Sequence, residues 1–429
     1  MINLKKIKKS LFAKNLAIIF SGNLINQIVL LVTYPIISRI YQPDDFGLFA
    51  QFQAILLILL LIISLRYDSA IIVAKNDLKA INLLALSFII MIFLLLFILL
   101  IVITLGHYIA QAFSSPKLNN WLYFLPLFLL LAGSQQILNN WVIRKKNFKF
   151  SNYSNILKSS SNSILKLFFG FIRYTNSGLF ISRGISFLLS CLILILREYN
   201  TLSNYIKTQI VKLPEIICVA KEYKKFPIFM SGGIIFNSLS VNVITLLISR
   251  MYGLTMIGYY ALASATLNIP ISMFRNAIQS VFYQRASERH NLGYNLYAEL
   301  KKITFYFFLI ALGPLLLLIF FGSQIYTFVL GDKWLITGQI ASIISPWLFF
   351  TLIATPATSL VPVLGLQKYF VLFQLAIFVT RVIIFYVGYI SFKELLDTIL
   401  LLSVHGIFVN IFNLLYIFIN VKRKENQLD

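Results

Sequence analysis

Long stretches without charged side chains determine what this chain can fold into. Residues 81–105 contain no Asp, Glu, Lys or Arg, and a helix of about 20 apolar residues is enough to cross a bilayer. Only 12% of the residues are charged and 59% are hydrophobic, whereas soluble domains carry about 25% charged residues. We therefore predict an all-α polytopic membrane protein with about twelve spans. The predicted spans are 15–38, 46–66, 81–105, 119–142, 152–172, 178–196, 227–249, 256–279, 303–322, 338–363, 369–390 and 396–420.

The distribution of Lys and Arg predicts the orientation of these spans. A formal net charge of +23 could by itself indicate nucleic-acid binding. With a cytoplasmic N-terminus, however, the inner loops and tails hold most of the 37 Lys and Arg residues, and each outer loop holds one. This is the positive-inside pattern, so both termini are expected in the cytoplasm and no nucleic-acid partner is expected. The basic segment 1–14 is predicted to bind anionic membrane lipids.

One pattern occurs twice, about half a chain length apart. Residues 37–50 contain Ile-Ser-Arg-Ile-Tyr and Phe-Gly-Leu-Phe-Ala, and residues 248–261 contain Ile-Ser-Arg-Met-Tyr and Ile-Gly-Tyr-Tyr-Ala, with an offset of 211 residues (37 to 248, 47 to 258). Six spans in each half make the two halves enter the membrane from the same side, as parallel repeats. The predicted order is a basic segment 1–14, a first lobe 15–196, a cytoplasmic amphipathic linker 197–226, a second lobe 227–421 and a cytoplasmic tail 422–429.

Positive charges inside the spans are the candidate substrate-binding residues. An ionised side chain at a helix centre costs about 2.5–3.5 kcal/mol on insertion scales, so such residues usually face a bundle interior or a wet cavity. The primary candidates are Arg66, Lys158, Lys166, Arg275 and Arg381. The secondary candidates are Arg39, Asn155, Asn162, Arg183 and Arg250.

Structural roles are the alternatives for several of these residues. Lys158 could extend to the inner headgroups, and Arg66 could pair with Asp68 or with lipid phosphate. Outer-interface positions are the alternative for Arg183, Arg39 and Arg250, and purely structural roles for Lys166, Arg275 and Arg381. On the predicted fifth span, Asn155, Lys158, Asn162 and Lys166 are spaced so that they share one helical face.

The charges inside the spans have one sign. All 14 acidic residues lie in loops, in tails or at span ends. A central cationic cavity without carboxylates fits an anionic passenger, because Arg binds phosphate through paired hydrogen bonds and Lys binds it as a point charge. Proton or sodium coupling would have to use Asp68, Asp397 or backbone carbonyls, and it stays open.

Signatures of catalysis are missing from the sequence. It contains no phosphate-binding G-x-x-x-x-G-K-[ST] loop. His107, His290 and His405 have no metal-ligand spacing, and Cys191 and Cys218 do not complete one. We therefore expect no metal, no cofactor, no catalytic residue and no enzymatic activity.

Three groups of motifs resemble the Wzx-type polysaccharide (O-antigen) flippases of the multidrug/oligosaccharidyl-lipid/polysaccharide exporter superfamily. The first is Tyr-Pro-Ile-Ile-Ser-Arg at 34–39 with Asp-Asp-Phe-Gly at 44–47. The second is Leu-Arg-Tyr-Asp-Ser-Ala-Ile at 65–71 with Asn-Asp at 76–77, and the third is Val-Phe-Tyr-Gln-Arg-Ala-Ser at 281–287. The resemblance covers the whole chain, although the predicted spans four to six contain no motif that is specific to this family.

The resemblance implies a fold and an activity. The fold is two six-helix lobes around a central cavity, as in the related multidrug (MATE) exporters. The implied activity is outward flipping of undecaprenyl-diphosphate-linked oligosaccharides across the bacterial inner membrane for O-antigen, capsule or exopolysaccharide synthesis. Other polysaccharide-assembly proteins are implied partners.

Two other functions are compatible with such a chain. One is a cation or drug antiporter of the same fold, but the drug exporters typically use membrane-embedded carboxylates, which this sequence lacks. The other is a membrane glycan polymerase or ligase, but such enzymes usually carry a sizeable outer loop, and none is predicted.

Overall fold

The computed structural model describes residues 22, 24–207, 211–224, 226–227, 232–291 and 296–425, and all regular secondary structure within them is helical. The predicted basic segment 1–14 and residues 426–429 of the predicted tail lie outside the described residues. The helices are α1 Leu24–Ile40, α2 Pro43–Ile62, α3 Tyr67–Val73, α4 Asp77–Ala112, α5 Pro116–Leu122, α6 Leu125–Arg144, α7 Phe148–Phe171, α8 Thr175–Lys207, α9 Leu213–Glu222, α10 Gly232–Tyr252, α11 Leu254–Asn291, α12 Leu296–Leu330, α13 Leu335–Ser359, α14 Gln367–Phe392 and α15 Leu395–Glu425.

Each of the twelve predicted spans matches a helix or a helix pair. Among the described residues, nine helices are long and apolar enough to cross a membrane, and the bent pair α5–α6 makes ten. Helix α1 is apolar but shorter in the described part of the chain. Helix α7 is more polar, because Ser, Asn and Lys residues fill positions 158–163. The predicted all-α polytopic architecture is confirmed.

Two of the predicted spans are interrupted for local reasons. The predicted span 119–142 contains α5 and α6, whose axes differ by 52°, and Pro126 in the first turn of α6 cannot continue a hydrogen-bonded helix from α5. The predicted span 46–66 ends early, because Leu65 and Arg66 adopt left-handed conformations with φ of 46° and 64°. Arg66 therefore lies in the turn between α2 and α3.

Each half of the chain packs mainly on itself. In the first half, α6 packs between α4 and α8, and α7 packs against α8. In the second half, α13 packs between α12 and α15, and α14 packs between α10 and α15. The contacts between the halves are made chiefly by α2, which packs against α10 and α11.

The short helix α9 lies between the halves in sequence and is fixed to the first half in space. Ile216 and Val219 are buried, and Tyr67 Oη donates to the carbonyl of Ala220 at 3.0 Å. Lys79 Nζ lies 2.6 Å from the Glu222 carboxylate, and this hydrogen bond lowers the pKa of Glu222. Helix α8 extends to Lys207 and so includes the first part of the predicted linker 197–226.

The repeated motif forms the contact between the two halves. Helices α2 and α11 cross so closely that a Cβ atom at Gly47 would collide with the carbonyl oxygen of Leu254, and one at Gly258 with that of Pro43. The offset of 211 residues that relates the two glycines also relates Pro43 to Leu254 (43 to 254). The contact is therefore reciprocal, as expected for two repeats related by a pseudo-two-fold axis.

Hydrogen bonds join the halves at this same end of the molecule, which we call the closed end. Asp44 accepts from Thr255 Oγ1 at 2.6 Å, and Gln51 Nε2 contacts Ser249 Oγ. A short 3₁₀ helix, Asp332–Trp334, holds the end of α1. Trp334 Nε1 donates to the Ser38 carbonyl at 2.8 Å.

The apolar core also joins the halves at the closed end and divides at the opposite end. One cluster includes Tyr41 and Phe52 from the first half and Ile257 and Trp334 from the second half. At the opposite end, the second half has a separate cluster that includes Leu300. We call this end, where the halves have separate cores, the open end.

Candidate functional site

A cavity of about 640 Å³ lies among α2, α10, α11, α13, α14 and α15. Five of these six helices belong to the second half, and α2 supplies the remaining wall. The cavity extends from Tyr260 and Arg381 towards Arg275 and Phe370, which lie nearer the open end.

The lining combines neutral polar groups, aromatic rings and two arginines, and no Asp or Glu is among the described residues that line it. Trp347, Tyr260 and Phe370 supply rings. Amides donate and accept hydrogen bonds as sugar hydroxyls do, and rings offer apolar faces. The amide side chains include Gln53, Asn237, Asn242, Asn268, Asn410 and Asn413.

Arg381 is a fixed cation at the closed end of the cavity. Its side chain is only 8% exposed, and Nη1 donates to Ser240 Oγ at 2.8 Å. The guanidinium carbon lies 4.6 Å from the ring centroid of Trp347, and Nε has no hydrogen-bond partner among the described groups. Since none of the ion pairs within the described chain includes Arg381, its charge is not balanced by a carboxylate there.

Arg275 lines the same cavity and is half-buried. It lies on α11, beyond the internal Pro270. The structure therefore brings two of the five primary candidates, Arg275 and Arg381, into one cavity.

Three further candidates lie together in the first half, and the 640 Å³ cavity does not include them. Lys158 Nζ donates to Asn155 Oδ1 at 3.2 Å, and Lys166 Nζ lies 5.0 Å from the ring centroid of Phe49. Arg183 is close enough to both lysines to interact with them electrostatically. These cations face the helix bundle.

The face of α7 predicted from the spacing is polar in the structure. Asn162 is buried, with no partner for Oδ1 in the described part of the chain. On the other side of the helix, Ile164 and Phe168 are 63% and 56% exposed, as expected for lipid-facing side chains.

Arg66 lies beside a buried carboxylate without forming an ion pair with it. Asp68 is 1% exposed and accepts hydrogen bonds from Ser64 Oγ at 2.6 Å and from the amides of Gln136 and Asn140 at 2.9 Å each. The ion pairs within the described residues do not include one between Arg66 and Asp68. Asp68 therefore holds the turn that carries Arg66 against α6.

We expect Asp68→Ala to destabilise the protein by about 2 kcal/mol, because the partly buried donors of Gln136 and Asn140 and the buried Ser64 hydroxyl would lose their acceptor. The measurement is thermal unfolding in detergent. The matched control is Asp397→Ala, since Asp397 is exposed at the start of α15. Equal melting temperatures of the two variants would contradict this role of Asp68.

The remaining secondary candidates lie at the closed end. Arg39 and Arg250 are exposed, and Arg39 Nη2 donates to the carbonyl of Phe328 at 3.4 Å. The candidates thus form four groups. Arg275 and Arg381 line the cavity, and the candidates on α7 and α8 lie together in the first half. Arg66 lies in the turn between α2 and α3, and Arg39 and Arg250 lie at the closed end.

Sequence reasoning missed one wall of the cavity. A tryptophan in a predicted span is usually an interface or packing residue, but Trp347 lines the cavity and packs against the guanidinium of Arg381. Thr351, Thr355 and Ser359 continue the same wall of α13. Their spacing of four residues could have identified this face.

The charge and donor set of the site favour binding of an anion over metal chemistry. Groups of three or more His, Cys, Asp or Glu that could hold a metal ion do not occur in the described part of the chain.

Comparison with solved structures shows the fold. An inward-facing multidrug resistance MATE family transporter of the MOP superfamily is 12% identical, with 96% of this chain and 98% of that chain covered and a TM-score of 0.74. An outward-facing MATE transporter of the superfamily is 13% identical, with 97% and 96% covered and a TM-score of 0.58. The lipid II flippase MurJ in an inward closed conformation is 16% identical, with 95% and 90% covered and a TM-score of 0.70.

Comparison with protein families gives one match. A profile described as "Polysaccharide biosynthesis protein" matches residues 36–338, which is more than two thirds of the chain. No curated protein sequence matches. The family match and the shared fold confirm the resemblance found in the sequence motifs.

Proposed function

Because the chain belongs to this family of polysaccharide biosynthesis proteins, we propose that it is a flippase for undecaprenyl-diphosphate-linked oligosaccharides. It moves them from the cytoplasmic to the outer leaflet of the bacterial inner membrane by alternating access. The product supports O-antigen, capsule or exopolysaccharide synthesis. The observation that carries this proposal is the cavity that contains Arg275 and Arg381 and whose described lining has no carboxylate.

The diphosphate binds first at the open end. Arg275 lines the cavity there, and Arg66 lies in the turn at the end of α2 with its Nε unpaired among the described groups. A guanidinium can donate two parallel hydrogen bonds to a phosphate. Lys158 adds a point charge from the first half.

Movement past the middle of the membrane uses the cations further from the open end. Lys166 and Arg381 lie nearer the closed end on α7 and α14, so they carry the diphosphate as the two lobes rock. The lobes are the segments 15–196 and 227–421. The glycan lies against the amides and rings of the cavity. The prenyl tail stays in lipid, because a cavity with polar walls offers its apolar surface no lower free energy than the bilayer does.

The open end faces the cytoplasm in this proposal. The basic residues of the inner loops support that orientation. They include Lys79, which pairs with Glu222 of α9, and Arg144 and Lys145, which pair with Asp77 at the start of α4. In this orientation the joined cores at the closed end seal the outer side, as an inward-open state requires. The higher TM-score to the inward-facing MATE transporter than to the outward-facing one agrees with this state.

Reconstitution tests the proposal directly. Liposomes with purified protein and a fluorescent undecaprenyl-diphosphate-linked sugar are treated with a membrane-impermeant quencher. We expect the protein to make the inner-leaflet label accessible much faster than protein-free liposomes do. Unchanged quenching together with transport of a cationic dye would contradict the proposal and favour a drug antiporter. Elongation of the glycan would instead indicate a polymerase.

A further inference from the structure

Arg381 has more binding capacity than its protein contacts use. Nη1 donates to the hydroxyl of Ser240 at 2.8 Å and, more weakly, to its carbonyl at 3.5 Å, and Trp347 covers one face of the guanidinium. The Nε group is buried and unpaired among the described groups. The contact with Ser240 could serve only to hold α14 against α10. A neutral side chain could do the same, so this role does not account for a buried cation that lines a cavity without a counter-charge.

Arg381 and Arg275 lie at different depths of the cavity. Arg381 lies close enough to Tyr260 to interact with it electrostatically. Tyr260 and Arg275 are both on α11, and the rise of 1.5 Å per residue separates them by roughly 20 Å. The two phosphates of a diphosphate are adjacent, so we expect a diphosphate bound at Arg275 to leave Arg381 available for another group.

We propose that the closed end of this cavity is a second anion subsite, in which Arg381 binds an acidic group on the glycan while Arg275 binds the diphosphate. This inference rests on the proposed flippase function and narrows its substrate class to oligosaccharides with a carboxylate or a phosphate substituent. The group lies several sugar residues from the diphosphate, because the two arginines are far apart along the cavity.

The surroundings of Arg381 fit such a group. Ser240 and Trp347 hold the guanidinium in place, so little side-chain freedom is lost when an anion binds. Neutral sugar hydroxyls can pair with the amides of the same cavity, such as Asn410. A hydroxyl can accept a hydrogen bond from the guanidinium, but only a charged group also neutralises it. That attraction between opposite charges is stronger in a poorly hydrated cavity than in water.

The test compares acidic and neutral sugars as ligands for the purified full-length protein in detergent. The probes are a glucuronic acid–glucose disaccharide, a phosphorylated disaccharide and a neutral glucose disaccharide, measured by calorimetry. We expect the wild-type protein to bind at least one acidic probe about tenfold more tightly than the neutral probe. The two acidic probes distinguish a carboxylate from a phosphate.

Variants at position 381 decide whether the preference belongs to this arginine. Arg381→Gln should reduce the preference to about twofold or less, and Arg381→Lys should retain part of it, because Lys keeps the charge and loses the paired donors. The control Lys393→Gln removes one charge from an exposed position on the same segment and should leave the preference unchanged. If Arg381→Gln does not fold, the test is whether Arg381→Lys has a weaker preference for acidic sugars than the wild-type protein.

Calorimetric binding of inorganic diphosphate tests the proposed function separately from the acidic-sugar subsite. Arg275→Gln should weaken diphosphate binding, and the control Lys393→Gln should leave it nearly unchanged. A preference for acidic sugars that survives in Arg381→Gln would overturn the subsite. Wild-type protein that binds acidic sugars but no diphosphate would overturn the proposed substrate and leave the subsite standing.

Discussion

An alanine at Gly47 or Gly258 is expected to abolish transport while the protein still inserts in the membrane. Its Cβ atom would collide with a backbone carbonyl of the other half, that of Leu254 or Pro43. A backbone atom cannot rotate away as a side chain can, and overpacking costs about 1–3 kcal/mol or more. A cost of about 3 kcal/mol would change the ratio of closed to open states at this end by about a hundredfold.

Cysteine accessibility measures this shift. Ser249, 1% exposed at the contact between the halves, is replaced by Cys after the exposed Cys218 has been changed to Ser. A membrane-impermeant maleimide should label Cys at position 249 readily with Gly258→Ala and poorly without it. Gly313→Ala is the control, because its Cβ would have no heavy atom within 4 Å. Normal transport and unchanged labelling in both Gly47→Ala and Gly258→Ala would show that the contact does not close the cavity.

Removal of three cations should eliminate export. We expect Lys166→Ala or Arg275→Ala alone to reduce surface polysaccharide at least tenfold, because each removes a charge-assisted contact worth about 1.5–3 kcal/mol. The combined Lys166→Ala, Arg275→Ala and Arg381→Ala variant should export none. Loss of these charges should not prevent insertion, since each buried cation itself costs energy in the membrane.

The measurement is surface polysaccharide in cells that depend on this protein, with membrane fractions to show equal amounts of each variant. Lys393→Ala, which removes an exposed charge from the turn after α14, is the matched control and should export normally. Full export by the triple variant would exclude binding of the diphosphate by these cations.

Helix number and the polar side of α7 could be predicted from the sequence, because both follow from the order of apolar and polar residues along one helix. The break between α5 and α6 could not, because apolar residues continue on both sides of Tyr123 and Phe124. Their packing and Pro126 decide the bend, and hydropathy is insensitive to both.

The grouping of the candidate residues also depends on packing between helices. Lys166 lies on the polar face of α7 and Arg381 interrupts an apolar helix, and from the sequence we predict both in one central cavity. In the structure, Arg381 lines the cavity of the second half, while Lys166 lies against Phe49 in the first half. Spacing along a helix identifies a face, but it does not show which neighbour that face meets.

The reciprocal glycine contact bears on the origin of the chain. In a two-fold dimer, a residue of one copy meets a second residue of the other copy, and the reverse contact is also made. Gly47 with Leu254 and Gly258 with Pro43 still follow this rule within one chain. The pattern points to an ancestor of six helices that sealed its cavity by pairing with an identical copy. In the present chain this contact keeps the two-fold pattern, whereas the buried cations of the two halves differ, with Lys158 and Lys166 on α7 and Arg381 on α14.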